Sequence, residues 1–181
     1  MPKCKKCRER FDPRFSTLEK YCWNQECKLK EAMEKLEQTK KKASNDWHQK
    51  KQIIKKSLLT NSDYLKLAQA VFNKFIRLRD QGQLCISCEK KCLKENAGHY
   101  FSSGGHSNLR FNEDNVHLQC EYCNTYLSGN LLNYQVGIEK RIGGERLLKL
   151  HENAHAVKKW SKDELENLIT KYKTKCKELT N

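Results

Sequence analysis

Cys85-Ile86-Ser87-Cys88, Ala97-Gly98-His99-Tyr100 and Asn115-Val116-His117-Leu118-Gln119-Cys120-Glu121-Tyr122-Cys123-Asn124 occupy the middle of this chain of 181 residues. Two Cys-x-x-Cys pairs flank a histidine and an asparagine, and a second asparagine follows the last cysteine. Cysteines at this spacing supply four thiolates to one zinc ion, and a four-thiolate site is closed to substrate. The zinc expected on Cys85, Cys88, Cys120 and Cys123 is therefore structural. Cys92 is left as a non-ligand. Residues 97–101 read as a strand, 102–107 as a Gly/Ser turn, 116–118 as the returning strand, and a helix is expected from Cys123-Asn124. This places His99 on a strand and Asn124 on a helix, the arrangement of a one-metal nuclease. A neutral imidazole can take a proton from water. A divalent ion held from the helix can neutralise charge on a phosphorane and its leaving oxygen. Magnesium accepts few protein ligands, so a sparse site suffices.

Lys plus Arg number 36 against 22 Asp plus Glu, a formal charge of +14. Two tetrathiolate zinc sites would bring it to about +10, still basic enough to favour a polyanion partner. Residues 1–60 carry +9 of the total and residues 61–181 carry +5. No apolar run approaches the roughly 20 residues of a membrane span, and the charged N-terminus lacks the apolar core of a secretory signal. Ten cysteines in such a chain, paired as Cys-x2-Cys and Cys-x4-Cys, point to metal in a reducing cytosol rather than to disulfides.

Three segments follow. Residues 1–27 hold Cys4, Cys7, Cys22 and Cys27, a second four-thiolate set whose zinc would supply the folding free energy of so short a stretch. Zinc units of this kind serve DNA contact, protein contact or stapling. Residues 28–60 contain neither Pro nor Gly and read as a long basic helix. Positions 29, 33, 36, 40, 43, 47, 50 and 54 form a heptad seam, Leu-Met-Leu-Lys-Ala-Trp-Lys-Ile. That seam fits a dimeric coiled coil, a solvated connector, or a helix lying on the core. Lys40, Lys41, Lys42, Lys50, Lys51, Lys55 and Lys56 can track phosphates. Residues 61–181 form the third segment. A helix over 62–81, capped by Asn61 or Ser62, turns Tyr64, Ala68, Val71, Phe72, Phe75 and Leu78 inward, with Arg77 and Arg79 nearer its outer side. Short helices over 131–160 break at Gly143-Gly144. A last helix opens on the capping box Ser161-x-x-Glu164.

With these residues in place, the chain resembles the HNH (ββα-metal) endonucleases, and more closely the NinG/Rap family of lambda-type phage recombination endonucleases. The closer likeness rests on Ala97-Gly98-His99-Tyr100, Leu109-Arg110-Phe111-Asn112-Glu113, residues 115–120, Cys123-Asn124 and Ser128-Gly129-Asn130, and on the Cys-rich N-terminus and basic helical linker. The resemblance implies a mostly helical α+β fold. A small HNH-like core with a Cys4 zinc site is preceded by a long basic helix and an N-terminal Cys4 zinc knuckle. It implies a metal-dependent endonuclease for Holliday junctions and D-loops, working in the bacterial host cytoplasm. Mg2+ or Mn2+ would serve catalysis and two Zn2+ the structure. Symmetric cleavage of a junction implies a homodimer. His99 matches the general base, Asn115 the asparagine that ties the hairpin loop together, and Asn124 the metal ligand. Arg110 is assigned to a phosphate. One departure stands out: many HNH enzymes place an Asp ligand where this chain has Gly98. His117 is the first candidate for the missing ligand, followed by Glu95 and His106, then Ser128. Two alternatives remain open, a non-catalytic zinc-containing DNA-binding accessory protein and a sequence-specific HNH nuclease.

Overall fold

A computed structural model describes residues 1–180 in two compact units, Met1–Leu58 and the chain from Leu59 onward. The fold is α+β and mostly helical, with one two-stranded sheet among the described residues. Among the described residues no helix is long and apolar enough to cross a membrane.

In the first unit a zinc-type knuckle leads into one long helix, α1 (Gln25–Ser57). Asn24 caps it, its side chain accepting from the Glu26 N–H at 3.0 Å. Cys27 thus sits in the first turn of α1. The small core here is Cys4, Phe11, Tyr21 and Cys27. Beyond it, Leu29, Met33, Leu36, Trp47, Ile53 and Ile54 are all exposed.

The second unit opens with α2 (Asn61–Arg79). Its N-cap is Thr60, in a reciprocal capping box with Asp63, rather than Asn61 or Ser62. The antiparallel strands β1 (Glu95–His99) and β2 (Val116–Cys120) pair Gly98 with His117 and His99 with Val116. Next come a π-helical turn, Tyr122–Tyr126, and then α3 (Leu131–Ile142), α4 (Gly144–Asn153) and α5 (Lys162–Glu178). Ser161 and Glu164 form the capping box read from the sequence.

Two apolar clusters hold this unit. In one, Tyr64, Ala68, Phe72, Phe75 and Ile76 of α2 pack on Leu165, Tyr172 and Cys176 of α5, with Phe111 and Val116. Phe72 meets Phe111 and Tyr172 edge-on, at 5.6 and 4.9 Å between ring centroids. In the other, Tyr134 and Ile138 of α3 and Leu147 and Leu150 of α4 enclose Ile86 and Leu109. Gly137 permits this approach: a Cβ there would strike the Ile86 carbonyl. The Tyr134 hydroxyl joins both strands, donating to the Gly98 carbonyl at 2.8 Å and accepting from the His117 N–H at 3.1 Å.

The helix expected from Cys123 is not an α-helix. The Leu127 N–H reaches back to the Tyr122 carbonyl. Ser128, Gly129 and Asn130 then take φ of 49°, 92° and 45°, so the chain reverses before α3 begins. Asn124 and Ser128 therefore do not share one helical face.

Candidate functional site

Each cysteine set read from the sequence converges. The four sulfurs of Cys4, Cys7, Cys22 and Cys27, and those of Cys85, Cys88, Cys120 and Cys123, lie within 4.8 Å of one another. Cys92 belongs to neither set. The two knuckles share one local architecture. The Cys4 N–H donates to the Glu9 carbonyl and the Arg8 N–H to the Cys4 carbonyl, as Cys85 does to Lys90 and Glu89 to Cys85. The residue after the second cysteine turns left-handed in both, Arg8 at φ 66° and Glu89 at φ 53°. An N–H from the second pair then points at the first sulfur, Cys22 to Cys4 and Cys120 to Cys85, each at 3.3 Å. Burial raises the pKa of Cys4, but N–H groups of Cys22, Cys7 and Lys6 outweigh it and bring the thiol to about 6. Cys85 reaches about 7 in the same way, against its burial. The Asn130 side chain adds a donor to Cys123 at 3.5 Å. Four converging thiols with N–H donors on the sulfurs suit a closed tetrahedral zinc ion in each unit.

His99 ends β1 half-buried, and its Nε2 lies 3.1 Å from the Arg110 carbonyl oxygen. A carbonyl can only accept, so the neutral ring carries its proton on Nε2 and its lone pair on Nδ1, and the Ala97 backbone is a further, weaker neighbour of the ring. Burial drives the His99 pKa below its ordinary value. The Arg110 carbonyl opposes this, while the Arg110 guanidinium adds to it. The imidazole is thus neutral at pH 7. It lines an open cleft of about 360 Å³, whose walls are Ser102, His106, Ser128 and Gln135 together with the apolar side chains of Tyr100, Phe101, Leu131 and Leu132. Asn115, wholly buried, ties the hairpin loop: its amide accepts from the Phe101 N–H and donates to the Phe101 and Leu109 carbonyls.

Other residues fall elsewhere. His117 is 3 % exposed and its ring nitrogens are taken, Nε2 by the Asp114 carbonyl at 3.0 Å and Nδ1 by the Arg79 guanidinium at 3.1 Å. It has no lone pair to offer a catalytic ion, which corrects its assignment as the first candidate for the missing ligand. Arg110 spends Nε and Nη2 on the Ser103 carbonyl, so it holds the loop rather than standing free for a phosphate. Asn124 lies half-buried in the π-turn, is not among the residues lining the His99 cleft, and makes no side-chain hydrogen bond among the described residues. Glu95 is exposed at the far end of β1. His106 does line the cleft. Its Nδ1 donates to the Ala154 carbonyl at 2.7 Å, which leaves Nε2 as an acceptor. Lys40, Lys41, Lys42, Lys50, Lys51, Lys55 and Lys56 are all exposed on α1, with Lys41 paired to Glu37 and Lys51 over the Trp47 ring.

Sequence reasoning missed a buried charge network. Arg79, read as an outer residue, grips Asp80 through Nε and Nη2 at 2.7 and 2.9 Å and also donates to the Glu113 and Val116 carbonyls. Asp80, 2 % exposed, accepts from the Leu118 N–H, and Arg141 of α3 stands 3.7 Å away. Burial works against the Asp80 charge, but Arg79 and the Leu118 N–H hold its carboxyl below the usual range. His117 is kept neutral, with its pKa pushed down to about 4 by burial and then by the Arg79 charge. An unfolded histidine protonates near 6.5. As pH falls, the unfolded chain takes up this proton first. The stability contributed by neutral His117 is therefore complete above about pH 6.5 and is lost towards pH 4. Between pH 7.5 and pH 5 the loss is about 2 kcal/mol. Urea unfolding at the two pH values should show a drop smaller by that amount in His117→Gln. Equal drops in both proteins would refute it.

Gly98 has its own reason. A Cβ there would run into the Gln119 side chain. Gln119 is fully buried and its amide donates to Ser87 Oγ at 2.7 Å and the Gly129 carbonyl at 2.6 Å. No side chain fits at position 98 while Gln119 stays. Gly98→Ala should cost about 1–3 kcal/mol by overpacking, and adding Gln119→Ala should recover part of it. A denaturant midpoint unchanged by Gly98→Ala would show that Gln119 yields freely.

These features define a basic, mostly helical α+β protein with two tetracysteine centres and a histidine cleft. Across residues 1–181 the chain matches the family described as Bacteriophage Lambda NinG protein. Protein ninG of Escherichia phage lambda is 35 % identical over 193 residues, covering 99 % of this chain and 93 % of the relative. Protein ninG of Salmonella phage P22 is 34 % identical over 191 residues, covering 98 % and 93 %. The chain belongs to the NinG family. No solved structure matches it.

Proposed function

We propose that this protein is a metal-dependent, HNH-type endonuclease acting on branched DNA in phage recombination. The observation that carries the reading is His99: a neutral imidazole with Nε2–H on the Arg110 carbonyl and a lone pair on Nδ1, on a hairpin end that opens into a cleft shared with Ser102, His106, Ser128 and Gln135. This is how a general base is presented to water. Burial keeps the ring uncharged, with a smaller contribution from the Arg110 guanidinium, and Asn115 fixes the loop that supplies the carbonyl. Mg2+ or Mn2+ would stabilise charge on the phosphate and its leaving oxygen. Asn124 stays one proposed ligand on the family resemblance alone, since it does not line the cleft. His106 replaces His117 as the second, because its Nδ1–H is anchored on a carbonyl as metal-bound histidines usually are. The lysines of α1 supply the polyanion attraction.

Incubating the full chain with a labelled four-way junction and a matched linear duplex, with and without Mg2+, tests this. Nicks that need Mg2+ and favour the junction support it. Tight junction binding with no cleavage in Mg2+ or Mn2+ would favour the DNA-binding accessory reading, to which Gly98 in place of a ligand lends weight.

A homodimer through α1 belongs to the same proposal. Leu29, Met33, Leu36, Trp47 and Ile54 occupy seam positions and are all exposed, as are the interrupting Lys40 and Lys50. Light scattering with and without junction DNA should show a dimer that Leu29→Asp/Leu36→Asp dissociates. A wild-type monomer in both conditions would end the idea.

A further inference from the structure

The π-turn carries a surface that the cleavage site does not use. Tyr122 and Tyr126 are 63 % and 71 % exposed, unusual for large aromatic side chains. A π-turn takes a little over four residues, so positions four apart come nearly into line. The two rings accordingly lie side by side, 6.1 Å between centroids and 33° between planes. Cys123, between them in sequence, is buried in the tetracysteine set. Leu93, fully exposed, borders the rings in one shallow hollow with Lys90, Lys91 and Lys94. Lys94 pairs with Glu121, whereas Lys90 and Lys91 have no ion pair among the described residues. The rim is therefore cationic.

We propose that Tyr122 and Tyr126 form a stacking platform for unpaired nucleotides of a DNA strand, with Lys90 and Lys91 on its phosphates. A duplex hides its base faces, so exposed ring faces offer it nothing, while a splayed strand presents π-faces to aromatics and phosphates to lysines together. The zinc-type knuckle and the π-turn hold the platform rigid, because Cys88 on one side and Cys120 and Cys123 on the other belong to one metal centre. The inference deepens the branched-DNA reading, since unpaired bases occur at branch points and forks.

The test is fluorescence anisotropy with the full chain, a fluorescein-labelled oligothymidylate and a blunt duplex of equal length. Ca2+ replaces Mg2+, so binding is read whether or not the protein cuts DNA. Tyr122→Ala/Tyr126→Ala should weaken oligothymidylate binding by about tenfold or more and leave the duplex unaffected. Tyr122→Phe/Tyr126→Phe should bind as wild type, because stacking needs the ring and not the hydroxyl. Zinc content confirms that each variant is folded. As a readout on the unaltered protein, a strand carrying 5-iododeoxyuridine should photo-crosslink to Tyr122 or Tyr126. Equal loss on both probes, no loss on oligothymidylate, or crosslinks only elsewhere would overturn the proposal. The last outcome with duplex binding intact would leave the surface to a protein partner.

Discussion

His99→Ala should lower magnesium-dependent cleavage of a four-way junction by about two to four orders of magnitude, the range ascribed to a positioned general base. Its zinc content and unfolding midpoint should stay near wild type, because the ring is only half-buried and gives the fold one bond to the Arg110 carbonyl. The pH profile adds a second readout. Burial and the nearby Arg110 charge place the His99 pKa below its ordinary value. Cleavage should therefore hold through neutrality and fail on the acid side with a midpoint under about 6.5. Arg110→Gln removes the charge that lowers the pKa, so it should move that midpoint upward. A general base is needed whatever the second metal ligand is, so this test does not depend on His106 supplying it. Cleavage by His99→Ala at the wild-type rate would exclude the mechanism.

What the sequence revealed was local. Cysteine spacing encodes the bite of a metal ligand pair, and both tetracysteine centres were legible for that reason. The capping box at Ser161 and Glu164 was legible because three residues contain it. The start of α2 was misplaced by one residue, because Thr60, Asn61 and Ser62 can all cap and only the Asp63 bond decides among them. The π-turn was hidden. Residues 121–126 carry no Gly or Pro, and the reversal after them rests on positive φ at Ser128 and Asn130, which a polar run does not announce. His117 shows the deeper limit. Its neutrality and position come from Arg79, Asp80, Arg141 and Tyr134, spread over more than 60 positions of sequence. Alternation reads such a residue as a solvent-facing site, whereas β2 is buried on both faces.

Cys85→Ser and Cys4→Ser should have large and different effects on folding. Structural zinc contributes an apparent 10–16 kcal/mol or so in small zinc-binding peptides, comparable with the roughly 5–15 kcal/mol that holds a whole domain together. In the first unit the tetracysteine set is most of the core, since Cys4 and Cys27 pack with Phe11 and Tyr21 and Cys22 lies against them. Cys4→Ser should therefore release residues 1–24 to rapid amide exchange and protease, with the second unit unchanged. In the second unit the Cys85 centre joins the knuckle after α2 to the end of β2 and to the π-turn. Its loss frees Ile86, and with it the contact that Gly137 of α3 makes room for. The α2–α5 cluster, which also holds Val116 at the start of β2, is distinct from the cluster around Ile86, so Cys85→Ser should keep much of its helical signal while losing protection at the Cys120 end of the hairpin and in the cleft. Circular dichroism with hydrogen exchange distinguishes the patterns, and metal analysis should give about two zinc ions per wild-type chain and one in each variant. A Cys85→Ser protein with wild-type protection at Glu95 and Cys120 would mean that side-chain packing alone holds the hairpin, and that the second centre is dispensable to the fold.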